Sequence, residues 1–243
     1  MKNQKKNMLY LGLAAVCGAG AGVMRSLLLA TGLDEKGLLV SGSPLTVGLW
    51  VLSVGLALVL LVLLRGLKQS GSFPANFPPC KIRFALSVTG GVLLTVHSLG
   101  QLLEAQMLAG VLGVAAGVGM LLAGVCRLKG SQPLPLYHIL ACVFFLVRLI
   151  LSFRGWSSDP QLQDYALQML ALVCLMLFAF HRSSADAGIL NRRRTAFFGL
   201  MAIYFCLASL SDETMPLLYL ASGAWAAGAM GTLEDLPEES ILP

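Results

Sequence analysis

A few polar side chains that could do chemistry stand inside the long apolar runs of this sequence. Arg148 lies deep in the run 136–153, and Asp164 lies just inside the next run, 162–181. An arginine at membrane depth costs about 2.5–3.5 kcal/mol on insertion scales unless it pairs or reaches the interface. The guanidinium of Arg148 therefore needs a carboxylate partner, a ligand or a wet cavity.

Arg25 takes the same place in the first apolar run as Arg148 takes in the fifth. Because a guanidinium fork suits carboxylate or phosphate, the two arginines are candidates for equivalent anion-binding groups in a pocket. The alternative for Arg148 is a structural pair with Asp164, or an extended side chain that reaches the headgroups. Arg25 has no counterpart of Asp164, which leaves Glu104 or a ligand as its partner.

The third apolar run carries His97 and Gln101 on nearby faces. An imidazole titrates near neutral pH, so His97 is a candidate proton relay, the alternative being a hydrogen-bonded packing histidine. Together with the residues above and one amide of the sixth run, these side chains form the predicted substrate-binding set. Its members are Arg25, His97, Gln101, Arg148, Asp164 and Gln168.

Signatures of known catalytic and metal sites are absent from the sequence. It holds no metalloprotease, nucleophile-elbow, phosphate-loop or dinucleotide motif, and its six cysteines are dispersed without a close pair. We therefore expect no catalytic residues, no metal and no cofactor. An enzyme that acts on a lipid within the membrane, through Glu104, Asp164 or His97, remains an alternative.

The composition places these residues in a membrane. Apolar residues make up 57% of the chain, charged residues 12%, and the mean hydropathy is +0.79; soluble domains carry about 25% charged residues. Runs of about 20 apolar residues are long enough for helices to cross the bilayer. We predict an all-α integral membrane protein, a bundle of eight transmembrane helices over residues 8–30, 44–67, 82–103, 107–125, 136–153, 162–181, 196–210 and 215–231.

The distribution of lysine and arginine predicts the orientation. With the N-terminus inside, nearly all of them fall in cytoplasmic segments, whereas Lys36 and Arg154 fall outside. Both termini, including the acidic tail from Glu234 to Pro243, are then cytoplasmic, in a plasma membrane. The net charge of +5 reflects this topology, and because the basic loops lack interleaved aromatic residues, we expect no nucleic-acid partner.

Several matches between the two halves of the chain predict an internal duplication. Aligning Arg25 with Arg148 also aligns Gly32 with Gly155, and the small-residue fourth and eighth runs correspond. The halves would be residues 1–130 and 131–243 of one membrane domain, four helices each. An even number of spans gives both halves the same orientation, as in some transporters.

These patterns favour a small-solute permease, or the membrane subunit of a transport system, with an outward-facing polar pocket. Its expected partners are the lipid bilayer and a small anionic solute, with a membrane-protein partner or a second copy of the chain as further possibilities. The alternative function is a non-catalytic membrane scaffold whose polar groups only join helices. The absence of a charged residue at the true midplane favours the scaffold, since ion-coupled carriers usually keep a carboxylate there.

Overall fold

A computed structural model of the protein describes residues 4–32, 43–67, 73–156, 165–211 and 215–233. Every described element of secondary structure is helical. The elements are α1 (Gln4–Thr31), α2 (Pro44–Leu64), α3 (Phe73–Asn76), α4 (Lys81–Leu103), α5 (Met107–Leu128), α6 (Pro135–Trp156), α7 (Ala166–Asp186), α8 (Arg192–Ala208), a 3-10 turn (Ser209–Ser211) and α9 (Pro216–Ala229).

Seven of the eight long helices are long and apolar enough to cross a membrane. This confirms the prediction of a helical, multi-span membrane protein. The exception is α9, whose 14 residues extend only about 21 Å, less than the hydrocarbon thickness of about 30 Å. Leu218, Ala221 and Trp225 of α9 are fully buried, so this helix lies inside the bundle rather than at its lipid-facing surface.

The helices pack around α9 and its neighbours. α4 packs against α5 on one side and α9 on the other, and α6 joins α5 to α7. α8 contacts α7, α9 and α1, whereas α2 lies at the periphery against α1 and α8. The predicted duplication and the orientation in the membrane remain predictions.

Glycines permit the closest helix crossings. A Cβ at Gly90 of α4 would lie 2.5 Å from the backbone nitrogen of Trp225 and 2.6 Å from the carbonyl oxygen of Ala221, both in α9. About one turn after Trp225 on the same face of α9, a Cβ at Gly228 would lie 2.6 Å from the carbonyl oxygen of Arg83 in α4. Small residues at such crossings let helix backbones meet in lipid, where packing rather than the hydrophobic effect drives association.

One helix lies where the sequence predicts an irregular loop. Residues 68–81 are rich in Pro and Gly, yet Phe73–Asn76 form the single turn α3, closed by a hydrogen bond from the backbone N–H of Phe77 to the carbonyl of Phe73 at 2.9 Å. Phe77 is buried. The packing of the Phe77 ring stabilises this helical turn. Local sequence preferences do not report such packing, so the sequence alone does not predict the turn.

The two ends of the bundle differ in chemistry. We call one the basic end; it contains the α4 start at Lys81, the α5 end at Leu128, the α7 end at Asp186 and the α8 start at Arg192. We call the opposite one the cavity end, where α4 ends, α5 begins, α6 ends and α9 begins. A tight turn at the cavity end, with Ala105 at φ 61°, joins α4 to α5.

Candidate functional site

An open cavity of about 480 Å³ lies at the cavity end, between the start of α5, the end of α6 and the start of α9. Most of its wall is apolar, and Arg148 brings the one full charge among its lining residues. The cavity is lined by Gln106, Met107, Leu108, Ala109, Arg148, Leu151, Ser152, Gly155 and Met215. Its volume falls in the range of about 300–1,000 Å³ that is usual for small-molecule sites.

Arg148 is 4% exposed but only weakly bound by protein groups. Its Nη1 donates to Oε1 of Gln106 at 3.4 Å, longer than an ordinary N–H···O bond, and its Nη2 contacts the thioether of Met215, a weak acceptor. The ion pairs between described residues all involve Asp186, so none reaches Arg148. In the described part of the chain, no carboxylate forms an ion pair with this buried guanidinium, although the charge of Glu104 attracts it from beyond contact distance.

Further polar groups at this cavity lack partners. Within the described residues, Nε of Arg148 and Oγ of Ser152, one helical turn further along α6, are buried without a hydrogen bond. The first turn of α5 lines the same cavity, and its N-cap residue Gln106 makes no side-chain cap bond. Uncapped N–H groups and the positive end of a helix dipole favour an anion.

The structure places the five described residues of the predicted site at one end of the bundle but not around one cavity. Arg25, Gln101 and Gln168 are buried, His97 is half-buried, and all four lie in the part of their helices nearer the cavity end. Of the predicted residues that the structure describes, only Arg148 lines the 480 Å³ cavity. Asp164 lies outside the described residues, so its predicted pairing with Arg148 remains a prediction.

His97 and Gln101 are linked to the cavity through the α4–α5 turn. Nε2 of His97 lies 3.0 Å from Nε2 of Gln101, and the carbonyl of Gln101 accepts a bond from the backbone N–H of Gln106 at 2.9 Å. The amide side chain of Gln106 in turn accepts from Arg148. His97 and Gln101 therefore support the residue next to the arginine rather than the cavity itself.

Arg25 belongs to a different helix contact. It lies on α1, whose main neighbours are α8 and α2, whereas Arg148 lies on α6 between α5 and α7. A Cβ at Gly22, one turn before Arg25, would lie 2.9 Å from the carbonyl oxygen of Leu207 in α8. The proposal that Arg25 and Arg148 are equivalent anion-binding groups therefore has no shared cavity to support it.

The basic end holds a second polar cluster, whose members are not among the predicted site residues. Asp186 accepts from Arg182 through Oδ1 at 3.3 Å and lies 2.5 Å from Nδ1 of His138 through Oδ2. Both partners are about 1% exposed. An arginine and an aspartate four residues apart, such as Arg182 and Asp186, can form an ion pair on one helix. The sequence predicts this pair only if the helix is extended past the apolar run 162–181.

Aromatic rings and helix ends complete this cluster. The guanidinium carbon of Arg182 lies 3.8 Å from the ring centroid of Phe77, and that of Arg127 lies 5.3 Å from the same ring. Arg127 also donates to the carbonyls of Gly228 and Met230, at 2.8 Å each, at the end of α9. Cations stabilise the negative end of a helix dipole, so Arg127 fixes the α9 terminus inside the bundle.

The basic end is filled rather than open. Two cavities found there, one beside Arg127 and Arg182 and one beside Asn76 and Arg192, are each about 10 Å³, room for about one water. In the described residues, no group of three or more His, Cys, Asp or Glu side chains is placed to hold a metal ion. The packed polar side chains of Asp186, Arg182, His138 and Arg127 therefore leave little open space at the basic end, and we call this cluster the seal.

Cys80 stands at the N-terminal end of α4, beside this seal. The backbone N–H of Arg83, and less strongly that of Ile82 and the charges of Arg83 and Arg127, stabilise the thiolate, and they lower the pKa of Cys80 below its ordinary value although burial opposes them. Thiolates, not thiols, are the nucleophiles. A lowered pKa means that the reactive form is present at lower pH than in a free cysteine.

We expect the alkylation of Cys80 by iodoacetamide to reach its half-maximal rate at a lower pH than that of glutathione, in a variant that retains only this cysteine. The Arg83→Gln variant should keep most of this difference, because the backbone N–H groups remain. Mass spectrometry of the labelled peptide across a pH series measures both rates. Equal midpoints for Cys80 and glutathione would contradict the assignment.

Comparisons with known proteins found no match. No family model, no curated protein and no solved structure matches the chain.

Proposed function

We propose that the protein is a small-solute permease, or the membrane subunit of a transport system, and that its solute is an anion that binds at Arg148. The observation that carries this proposal is the open 480 Å³ cavity on a buried arginine that has no carboxylate partner in the described residues. A buried cation that forms no ion pair is costly. Its cost is offset when an anionic solute binds.

The difference between the two ends supports transport. A carrier that works by alternating access is open to one side of the membrane and closed to the other. Here the cavity end is open, whereas the cavities found at the basic end have room for about one water each. A bundle that is open at one end and closed at the other is the state expected in one half of an alternating-access cycle.

The proposal includes the orientation of the helix bundle in the membrane. Lysine and arginine concentrate on the cytoplasmic side of membrane proteins, so the basic end is assigned to the cytoplasm and the cavity end to the outside of a plasma membrane. Both termini are then cytoplasmic, with α9 returning through the interior of the bundle. The duplication of residues 1–130 in residues 131–243 is retained as part of the proposal.

Proteoliposomes test this function. We expect uptake of a labelled monocarboxylate or of labelled phosphate by the wild-type protein, and about 10- to 100-fold less uptake by Arg148→Gln, because one or two charge-assisted hydrogen bonds are lost. Arg194→Gln, which removes an exposed arginine at the basic end, serves as the matched control and should leave uptake unchanged. Failure of folded protein to take up any tested anion would contradict the permease.

A scaffold is the second candidate function, and the seal at the basic end favours it. The contacts of Asp186, Arg182, His138 and Arg127 are made within the bundle, and they join helices without forming an open site. A scaffold predicts that Arg148→Gln leaves uptake unaffected and instead weakens a membrane complex. To separate the two functions, wild-type and Arg148→Gln protein are each purified from the same membranes, and the proteins that copurify with them are compared. Loss of a copurifying protein with unchanged uptake supports the scaffold.

A further inference from the structure

The cavity at Arg148 has two kinds of wall. One wall is polar and carries a single full charge, from Arg148. The remainder is dominated by Met107, Leu108, Leu151 and Met215. We infer that the cavity binds an amphipathic monoanion, with a carboxylate or phosphate head on Arg148 and Ser152 and an apolar body against the methionine and leucine side chains. This inference rests on the site of the proposed function and names its ligand class.

The head-group site is built to accept one negative charge. Nε of Arg148 and Oγ of Ser152 are buried without partners in the described residues. The two groups that do contact the guanidinium, Oε1 of Gln106 at 3.4 Å and the thioether of Met215, are weak partners that an oxoanion outcompetes. Since the described residues that line the cavity include no second cation, a dianion would keep one charge uncompensated.

The apolar remainder of the cavity lining determines what kind of ligand body fits beside the head group. Met107, Leu108 and Met215 leave few polar groups for a hydroxyl-rich or zwitterionic solute, whose desolvated groups would lack partners. Methionine side chains are flexible and polarizable, and they adapt to apolar groups of different shape. A cavity of about 480 Å³ accepts an apolar chain of several carbons beside the head group.

Such an anion has two possible sources. A soluble medium-chain carboxylate enters from water, and an anionic lipid or fatty acid enters from the surrounding bilayer. The chemistry of recognition is the same in both cases, because the protein contacts the oxoanion and the first carbons of the chain. The experiment below distinguishes the two sources.

Equilibrium dialysis of the full chain in zwitterionic phosphatidylcholine nanodiscs tests the inference, with binding taken as the excess over empty nanodiscs. The probes are octanoate, hexanoate, acetate, inorganic phosphate and neutral octanol. We expect octanoate to bind at least about 100-fold more tightly than acetate, because each methylene in an apolar site adds about threefold. Octanol and inorganic phosphate should both bind at least tenfold more weakly than octanoate.

Variants then assign the binding to the cavity. Arg148→Gln should weaken octanoate binding about 10- to 100-fold, and Ser152→Ala should weaken it about threefold to tenfold, in line with the loss of a charged and a neutral hydrogen bond. Arg194→Gln is the control and should bind as the wild type does. Circular dichroism of each variant in the nanodisc verifies the helical fold.

The outcomes are separable from those of the uptake experiment. Acetate or inorganic phosphate binding as tightly as octanoate would overturn the amphipathic ligand and leave an anion permease intact. Octanoate binding that Arg148→Gln does not change would overturn the inference whatever the uptake results are. Octanoate binding without uptake supports the ligand class and contradicts the permease.

Nanodiscs that contain phosphatidylglycerol identify the source of the anion. If the lipid occupies the cavity, octanoate binds at least tenfold more weakly in them than in phosphatidylcholine nanodiscs, and Arg148→Gln removes that difference. If binding is unchanged, the ligand comes from the aqueous phase. Both results support the amphipathic site; a difference that persists in Arg148→Gln would contradict the head-group assignment.

Discussion

Asp186→Ala is expected to lower the free energy of unfolding by about 3–5 kcal/mol, the usual cost of leaving one member of a buried ion pair alone. The carboxylate bonds to both Arg182 and His138, and all three side chains are buried. Without it, the Arg182 guanidinium retains, among the described residues, the rings of Phe77 and Phe73 but no carboxylate. Reversible unfolding of the protein in mixed micelles, followed by circular dichroism, measures the loss.

Two further variants separate the charge from the hydrogen bonds. Asp186→Asn keeps an oxygen for His138 and should be less damaging than Asp186→Ala. The double variant Arg182→Met with Asp186→Ala removes both charges and should recover most of the stability, because an apolar replacement of a buried pair is often neutral. A double variant no more stable than Asp186→Ala alone would contradict the ion-pair explanation.

Gly90→Ala is expected to destabilise the bundle by about 3 kcal/mol, at the upper end of what overpacking usually costs. The added Cβ would lie 2.5 Å from the backbone nitrogen of Trp225 and 2.6 Å from the carbonyl oxygen of Ala221. Backbone atoms cannot rotate away as a side chain can. The whole of α9 must therefore move from α4, and its bonds to Arg127 lengthen.

Gly100→Ala is the matched control on the same helix. A Cβ at Gly100 meets nothing within 4 Å, so the substitution should be neutral or stabilise α4 by about 0.5–1 kcal/mol through helix propensity. The two variants are compared in the same micelles by their unfolding midpoints. If Gly90→Ala and Gly100→Ala lower the stability equally, the need for glycine at position 90 does not come from close packing against α9.

The positions of the helices were predictable because long apolar runs determine them directly. The run at 107–125 became α5, Met107–Leu128, and the run at 136–153 became α6, Pro135–Trp156. The ends of helices were less predictable. α7 continues through a polar turn to Asp186, past the end of the predicted run 162–181. The prediction stopped short because a hydropathy pattern does not register polar side chains that are buried against other helices.

Part of the candidate site was also predictable from the sequence. Arg148 is conspicuous because a charge in an apolar run is costly, and the structure places it on the largest of the cavities described above. Ser152, Gln106 and Met215 carry no such signal, since they reach the cavity from helix ends that only tertiary packing brings together. The close contact of Asp186 with His138, 48 residues earlier, is equally invisible to a linear pattern.

The burial of α9 has a consequence for how the protein is assembled. α4 is synthesised more than a hundred residues before α9, yet α9 covers the Gly90 face of α4, and its end satisfies Arg127. Contacts so distant in sequence form late. During synthesis, the Gly90 face of α4 and the guanidinium of Arg127 therefore stay without their α9 contacts until the last helix has been made.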